Sequence, residues 1–135
     1  MRQGIQTNFP HKALREYGCY FFCLCQWAEI ISGTEFTDDE IIAWYDSFVS
    51  SGMMEEDCFV IDPPNVLTQL LTSRRVFYTV TKTKERPRED IFVVYLKKPG
   101  HGHFVLNHNG ATWDSLDPQR PGATGYQFDS YRAIV

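Results

Sequence analysis

No block of basic residues appears anywhere in this chain of 135 residues. Its 13 Lys and Arg are outnumbered by 17 Asp and Glu, for a formal charge of -4. Without a cationic stripe there is no electrostatic footprint for a phosphate backbone, so no nucleic-acid partner is expected. No apolar run approaches the roughly 20 residues that cross a bilayer. Met1 to Asn8 contains neither an apolar signal region nor a small-residue cleavage site. No membrane partner is expected, and cytoplasmic is the default location. Cysteine is scarce: there are four, three of them at 19, 23 and 25, where neighbours on one helix point the wrong way for disulfide geometry. Free thiols suit a reducing compartment. A metal site built from Cys19 with His101 and His103 has no Cys-x-x-Cys or His-x3-His spacing to support it, so neither metal nor other cofactor is expected. Internal repeats, low-complexity segments and linkers are absent too.

What the chain does have is apolar mass: 43% hydrophobic and 15% aromatic residues, enough for a packed core without disulfide staples. One domain spanning residues 1–135 is expected. Its centre is the run Tyr17-Gly18-Cys19-Tyr20-Phe21-Phe22-Cys23-Leu24-Cys25-Gln26-Trp27-Ala28. The period is helical: Tyr20, Leu24, Trp27 and Ile31 form one stripe, with Cys19, Cys23 and Ile30 beside it. Two adjacent stripes predict an almost wholly buried helix ending near Ser32-Gly33. Cys19 follows Gly18 at the head of that helix, where the positive end of the dipole favours a thiolate. Cys23 and Cys25 read as core filling.

Before this helix, residues 1–10 end in Phe9-Pro10 and read as an extended arm, and His11 to Glu16 as a short helix. After it, Thr37-Asp38-Asp39-Glu40 is a capping box opening a helix whose buried face is Ile41, Trp44, Tyr45 and Phe48. Met53 to Ile61, carrying the solvated acids Glu55, Glu56 and Asp57, is a loop or short strand. Asp62 caps a further helix with Pro63 in its first turn and Val66, Leu67, Leu70 and Leu71 inward. The pattern then turns to strands. Val76 to Thr83 alternates, Ile91 to Leu96 is a central strand, and Lys97 to Gly100 is a turn. His103 to Asn107 and Thr112 to Leu116 flank Asn109-Gly110, a strong hairpin signal. Tyr126 to Tyr131 is a last strand. Helices first and an antiparallel sheet second make the fold class α+β.

Chemistry is carried by the order Cys, then His on a strand, then Asp on its neighbour: a nucleophile, its base and an orienting group. A two-residue turn at Asn109-Gly110 pairs His108 with Ala111, which puts His103 opposite Leu116 and Val105 opposite Asp114. His103 and Asp114 then share one face as diagonal neighbours, roughly 7 Å apart at the backbone. Asp117 falls on the other face unless a bulge shifts the strand. His11, His101 and His108 read as surface or turn residues.

This order of parts resembles the papain-like cysteine peptidase fold, particularly its small bacterial and phage members. Tyr17-Gly18-Cys19-Tyr20 is like the nucleophile helix, Gly102-His103-Phe104-Val105 like the histidine strand, and Trp113-Asp114-Ser115-Leu116 like the segment bearing the third member. The resemblance implies a peptidase or amidase acting on a peptide or amide substrate through Cys19, His103 and Asp114, with no cofactor. Such enzymes place an oxyanion-hole glutamine about six residues before the cysteine, and Ala13 stands there in this chain. Gln6 is the nearest upstream candidate, and it serves only if the intervening segment folds back. Without that donor, the same fold would instead be a binding module without turnover.

Overall fold

The computed structural model describes residues 1–72 and 78–135. Among them, four helices precede a five-stranded antiparallel sheet, so the chain is α+β. The aromatic run becomes α2, Cys19–Ser32, with Gly33 in the left-handed conformation closing it. Phe21, Phe22, Cys23, Leu24, Cys25, Trp27 and Ala28 are all buried. The helix is almost wholly buried, as expected; Phe21, Phe22, Cys25 and Ala28, outside the two stripes, are buried too because α2 meets neighbours on several sides, and a helix apolar all round is a core helix. Phe22 meets Phe9 edge-on at 5.1 Å, and Phe21 meets Phe48 at 5.9 Å. Tyr20 stacks on Phe104 at 4.4 Å, and Trp27 meets Tyr78 at 4.7 Å. The residues of the expected stripes that stay partly exposed, Cys19, Tyr20, Ile30 and Ile31, lie in its end turns.

Around this helix the local signals act as capping chemistry predicts. Helix α1, Lys12–Tyr17, precedes it, and α3, Asp38–Ser50, starts from the full Thr37 and Glu40 capping box. Ile41, Tyr45 and Phe48 are buried, while Trp44 stays half-exposed, stacked on Phe48. Helix α4, Pro63–Leu70, is capped by Asp62, and Val66, Leu67, Leu70 and Leu71 point inward. His11 is not a free surface residue: its Nδ1 accepts from the Leu14 N–H and caps α1. Glu29 is a buried carboxylate that the apolar pattern hides. The Met1 ammonium and the Phe36 N–H donate to it, which makes its burial tolerable.

The strands are β1, Val80–Thr83; β2, Ile91–Lys98; β3, His101–His108; β4, Ala111–Trp113; and β5, Gln127–Ile134. They lie in the order β1-β5-β2-β3-β4. Val76 and Phe77, the start of the first expected strand, lie outside the described residues. β2 is central, as its apolar run predicts, though it continues through Lys97 and Lys98 and leaves only Pro99-Gly100 to turn. Asn109 and Gly110 both adopt positive φ and join β3 to β4 with His108 opposite Ala111. The expected register therefore holds, but β4 stops at Trp113 rather than Leu116.

The reason lies in the first eight residues. They are not an extended arm: Ile5–Asn8 forms one turn of 3-10 helix, anchored by the buried Ile5 and Phe9. This turn takes the hydrogen bonds that a longer β4 would need. The Gly4 N–H donates to the Asp114 carbonyl at 3.0 Å and the Gln6 N–H to the Ser115 carbonyl at 2.7 Å. The N-terminal segment is thereby fixed beside the chain that carries Asp114.

Candidate active site

Cys19 heads α2, and the junction that places it has no room for a side chain before it. A Cβ on Gly18 would sit 2.5 Å from the Leu14 carbonyl oxygen and 3.1 Å from the Phe22 ring. Only glycine lets α1 turn directly into α2 there, so Gly18 sets the direction in which the cysteine leaves the backbone. Cys19 is half-buried, whereas Cys23, Cys25 and Cys58 are buried. Burial pushes the thiols of Cys23 and Cys25 well above their ordinary value and raises that of Cys58 to about 12, with Asp57 and Cys19 adding to the rise. The chain thus has one accessible thiol beside three that burial keeps protonated.

His103 lies on β3 beyond the last pair with β4, Leu106 with Trp113, so no fourth strand stands beside it. Its Nε2 is 2.7 Å from Asp114 Oδ1. The same carboxylate oxygen accepts the Leu116 N–H at 2.9 Å, and Arg120 lies 3.8 Å from Oδ2. The diagonal expected from the hairpin register has become a direct contact, because the chain leaves the ladder at Asp114 and folds toward the imidazole. Asp117 does not join them. Its carboxylate accepts the Gln119 N–H and its own N–H goes to Thr7.

Burial lowers the proton affinity of the 3% exposed imidazole, but hydrogen bonds to Asp114 and Cys19 and the charges of both outweigh it. The net result is a His103 pKa raised from 6.5 to about 9. Cys19, His103 and Asp114 are therefore one interacting group. A raised histidine contributes stability that is complete below pH 6.5 and is lost as pH climbs through about 9. At 1.36 kcal/mol per unit of pKa, that loss is on the order of 3 kcal/mol. Denaturant unfolding measured across this range is expected to show it. Asp114→Asn is expected to flatten the profile and Asp117→Asn to leave it alone.

The segment carrying Gln6 folds back against Ser115 and Arg15, and the amide is engaged there. Fully buried, it accepts from Ser115 Oγ at 2.6 Å and donates through Nε2 to the Arg15 carbonyl at 3.1 Å. One Nε2 proton is left over. Ala13, at the usual glutamine position, is partly buried against the core and has no polar group to offer.

Cys19 opens into a cleft of about 670 Å³. Tyr17 and Tyr20 flank it on the helical side, Asp57, Cys58 and Phe59 form a second wall, and the sheet supplies the floor. Of the expected acidic cluster, only Asp57 lines the cleft. On the floor, Tyr95 and Phe104 pack at 4.4 Å, with the Tyr95 hydroxyl over Gly102, where a Cβ would meet it at 2.2 Å. Any side chain at Gly102, immediately before His103, would force Tyr95 to move. No pattern in the sequence marks Arg120 or this Tyr95 contact, and Ser115 carries no motif of its own. Alternation could have flagged Ser115, while Arg120 lies in an irregular loop with no local pattern. Among the described residues no group of three His, Cys, Asp or Glu is disposed to hold a metal ion.

No curated protein and no solved structure matches the chain. Residues 3–135 match the family described as "Protein of unknown function, DUF261", and with nearly the whole length covered, the chain belongs to the DUF261 family.

Proposed function

We propose that this protein is a cysteine hydrolase, a peptidase or amidase of papain-like design, in which Cys19, His103 and Asp114 form the catalytic triad. The observation that carries the reading is the meeting of three residues from distant parts of the chain, with the only half-exposed cysteine opening into a cleft. A buried structural histidine needs one partner; this one interacts with a carboxylate on one side and a thiol on the other.

The chemistry follows from these positions. His103 holds its proton through neutral pH, so an imidazolium stands beside the sulfur. The sulfur of Cys19 attacks the carbonyl carbon, forming a C–S bond and moving charge to the oxygen. The C–N bond then breaks, and the imidazolium gives its proton to the departing nitrogen, leaving a thioester and a free amine. Neutral His103 next takes a proton from water, which attacks the thioester. The C–S bond breaks, the acid leaves, and the Cys19 sulfur and the protonated His103 are regenerated. Asp114 orients the ring through Nε2, which leaves Nδ1 for the sulfur. The Cys19 N–H at the head of α2 and the remaining Nε2 proton of Gln6 are the oxyanion donors in this reading.

No cofactor takes part in these steps, and the substrate is a peptide or amide. No helix among the described residues is long and apolar enough to cross a membrane. Four free cysteines fit a cytoplasmic setting. A second reading, the same fold as a binding module without turnover, draws on the double engagement of the Gln6 amide.

Reactivity provides the test. With a small alkylating agent at about pH 6, Cys19 is expected to be labelled well before Cys23, Cys25 or Cys58, as peptide mass spectrometry would read. His103→Ala should slow that labelling. Uniform labelling, or a Cys19 rate indifferent to His103, would remove the basis for a catalytic thiol.

A further inference from the structure

The floor of the cleft holds a charge arrangement that the fold does not need. Lys82 on β1 and Arg132 on β5 are direct cross-strand partners, and both line the cleft. Like charges set opposite one another destabilise a ladder. Among the described residues neither forms an ion pair. Asp129 on β5 is within ion-pair distance of Lys84 and Lys97, and Lys82 adds only a longer-range attraction to it.

Arg132 is also held in place. Its guanidinium lies 5.5 Å from the centres of both the Tyr95 and Phe104 rings, and one of its nitrogens donates to Ser130 Oγ at 2.8 Å. A stacked, tethered guanidinium presents its remaining N–H groups as a preset planar fork, the geometry that suits a carboxylate. Lys82 beside it is exposed and adds a second, mobile positive charge. Glu16 and Asp57 line other walls of the cleft, so it is the floor that is cationic, within a protein that is acidic as a whole.

We infer that the cleft takes amide substrates bearing a carboxylate, which Lys82 and Arg132 hold beside the bond presented to Cys19. This specificity rests on the hydrolase reading above. The carboxylate is either an acidic side chain or the free C-terminus of a peptide.

Two arms test it. The first compares alkylation of Cys19 by iodoacetate and iodoacetamide, reagents of one size that differ in charge, in the wild type, Lys82→Gln and Lys82→Glu. Among the described residues the Lys82 side chain makes no hydrogen bond that its replacement would break. The iodoacetate-to-iodoacetamide rate ratio is expected to fall roughly threefold on loss of the charge and roughly tenfold on its reversal, with salt shrinking both effects. An unchanged ratio overturns the inference, whether or not any peptide binds. The second arm measures binding to Cys19→Ala by fluorescence anisotropy for three labelled peptides: one with Glu and an amidated end, one with Gln and a free end, one with Gln and an amidated end. The doubly neutral peptide is expected to bind at least tenfold more weakly than one of the others, and the one retained names the source of the carboxylate. Equal binding of all three overturns the inference. If the discrimination holds in both arms while wild-type protein cleaves none of the peptides, the hydrolase reading fails and the carboxylate site stands.

Discussion

Replacing Cys19 by alanine is expected to lower kcat/KM on a cleaved peptide or amide by on the order of 10⁴-fold or more, while costing only the part of the pH-dependent stability that its contact with His103 supplies. The stability half of the expectation comes from position. Cys19 is half-exposed in the first turn of α2, outside the buried cluster formed by Phe21, Phe22, Cys23 and Leu24. The catalytic half comes from chemistry, since no other accessible group at the head of α2 can form the acyl intermediate. His103→Ala should cost a comparable factor, and the double variant should cost hardly more than either single one, because nucleophile and base act as a unit. Losses that multiplied in the double variant would mean that the two residues work separately. Cys23→Ala is the matched control: it removes a buried thiol, so it should affect stability rather than rate.

Gln6 has the next largest expected effect, and it is double. In the proposed mechanism Gln6→Ala removes an oxyanion donor, a loss that typically lowers the rate by about 100- to 1000-fold. It also leaves Ser115 Oγ and the Arg15 carbonyl without their partner, at a cost of about 1–3 kcal/mol in stability. Ser115→Ala separates the two, because it breaks the bond to Gln6 Oε1 while leaving the Nε2 donor in place. Turnover per folded molecule is therefore expected to drop in Gln6→Ala and to survive largely in Ser115→Ala. If Gln6→Ala unfolds more readily but turns over normally when folded, the glutamine is only a brace between α1 and the chain after β4, and the Cys19 N–H carries the oxyanion alone.

How far the sequence could be read depended on the range of the interactions. Caps and turns are local, and Thr37 with Glu40, Asp62 with Pro63, and Asn109 with Gly110 each formed what their own few atoms dictate. The hairpin register then carried His103 and Asp114 to the same place, because side-chain alternation leaves few alternatives once the turn is fixed. The end of β4 was not legible, since it is set by residues about 110 positions earlier that take the Asp114 and Ser115 carbonyls. For the same reason Ile5–Asn8 looked like an extended arm: its helical turn is held by contacts with Ser115, which no window around Pro10 contains. The cationic floor was equally hidden. Lys82 and Arg132 are fifty residues apart, and only the β1–β5 pairing makes them neighbours.

The central claim is that Cys19, His103 and Asp114 share one electrostatic unit, and the titration of His103 followed by NMR tests it most directly. In the wild type the imidazole is expected to lose its proton near pH 9. Its midpoint should fall in Cys19→Ser and in Asp114→Asn, because each removes one of the two partners that hold the proton on the ring. A wild-type midpoint near the ordinary 6.5, unmoved by either substitution, would contradict the account.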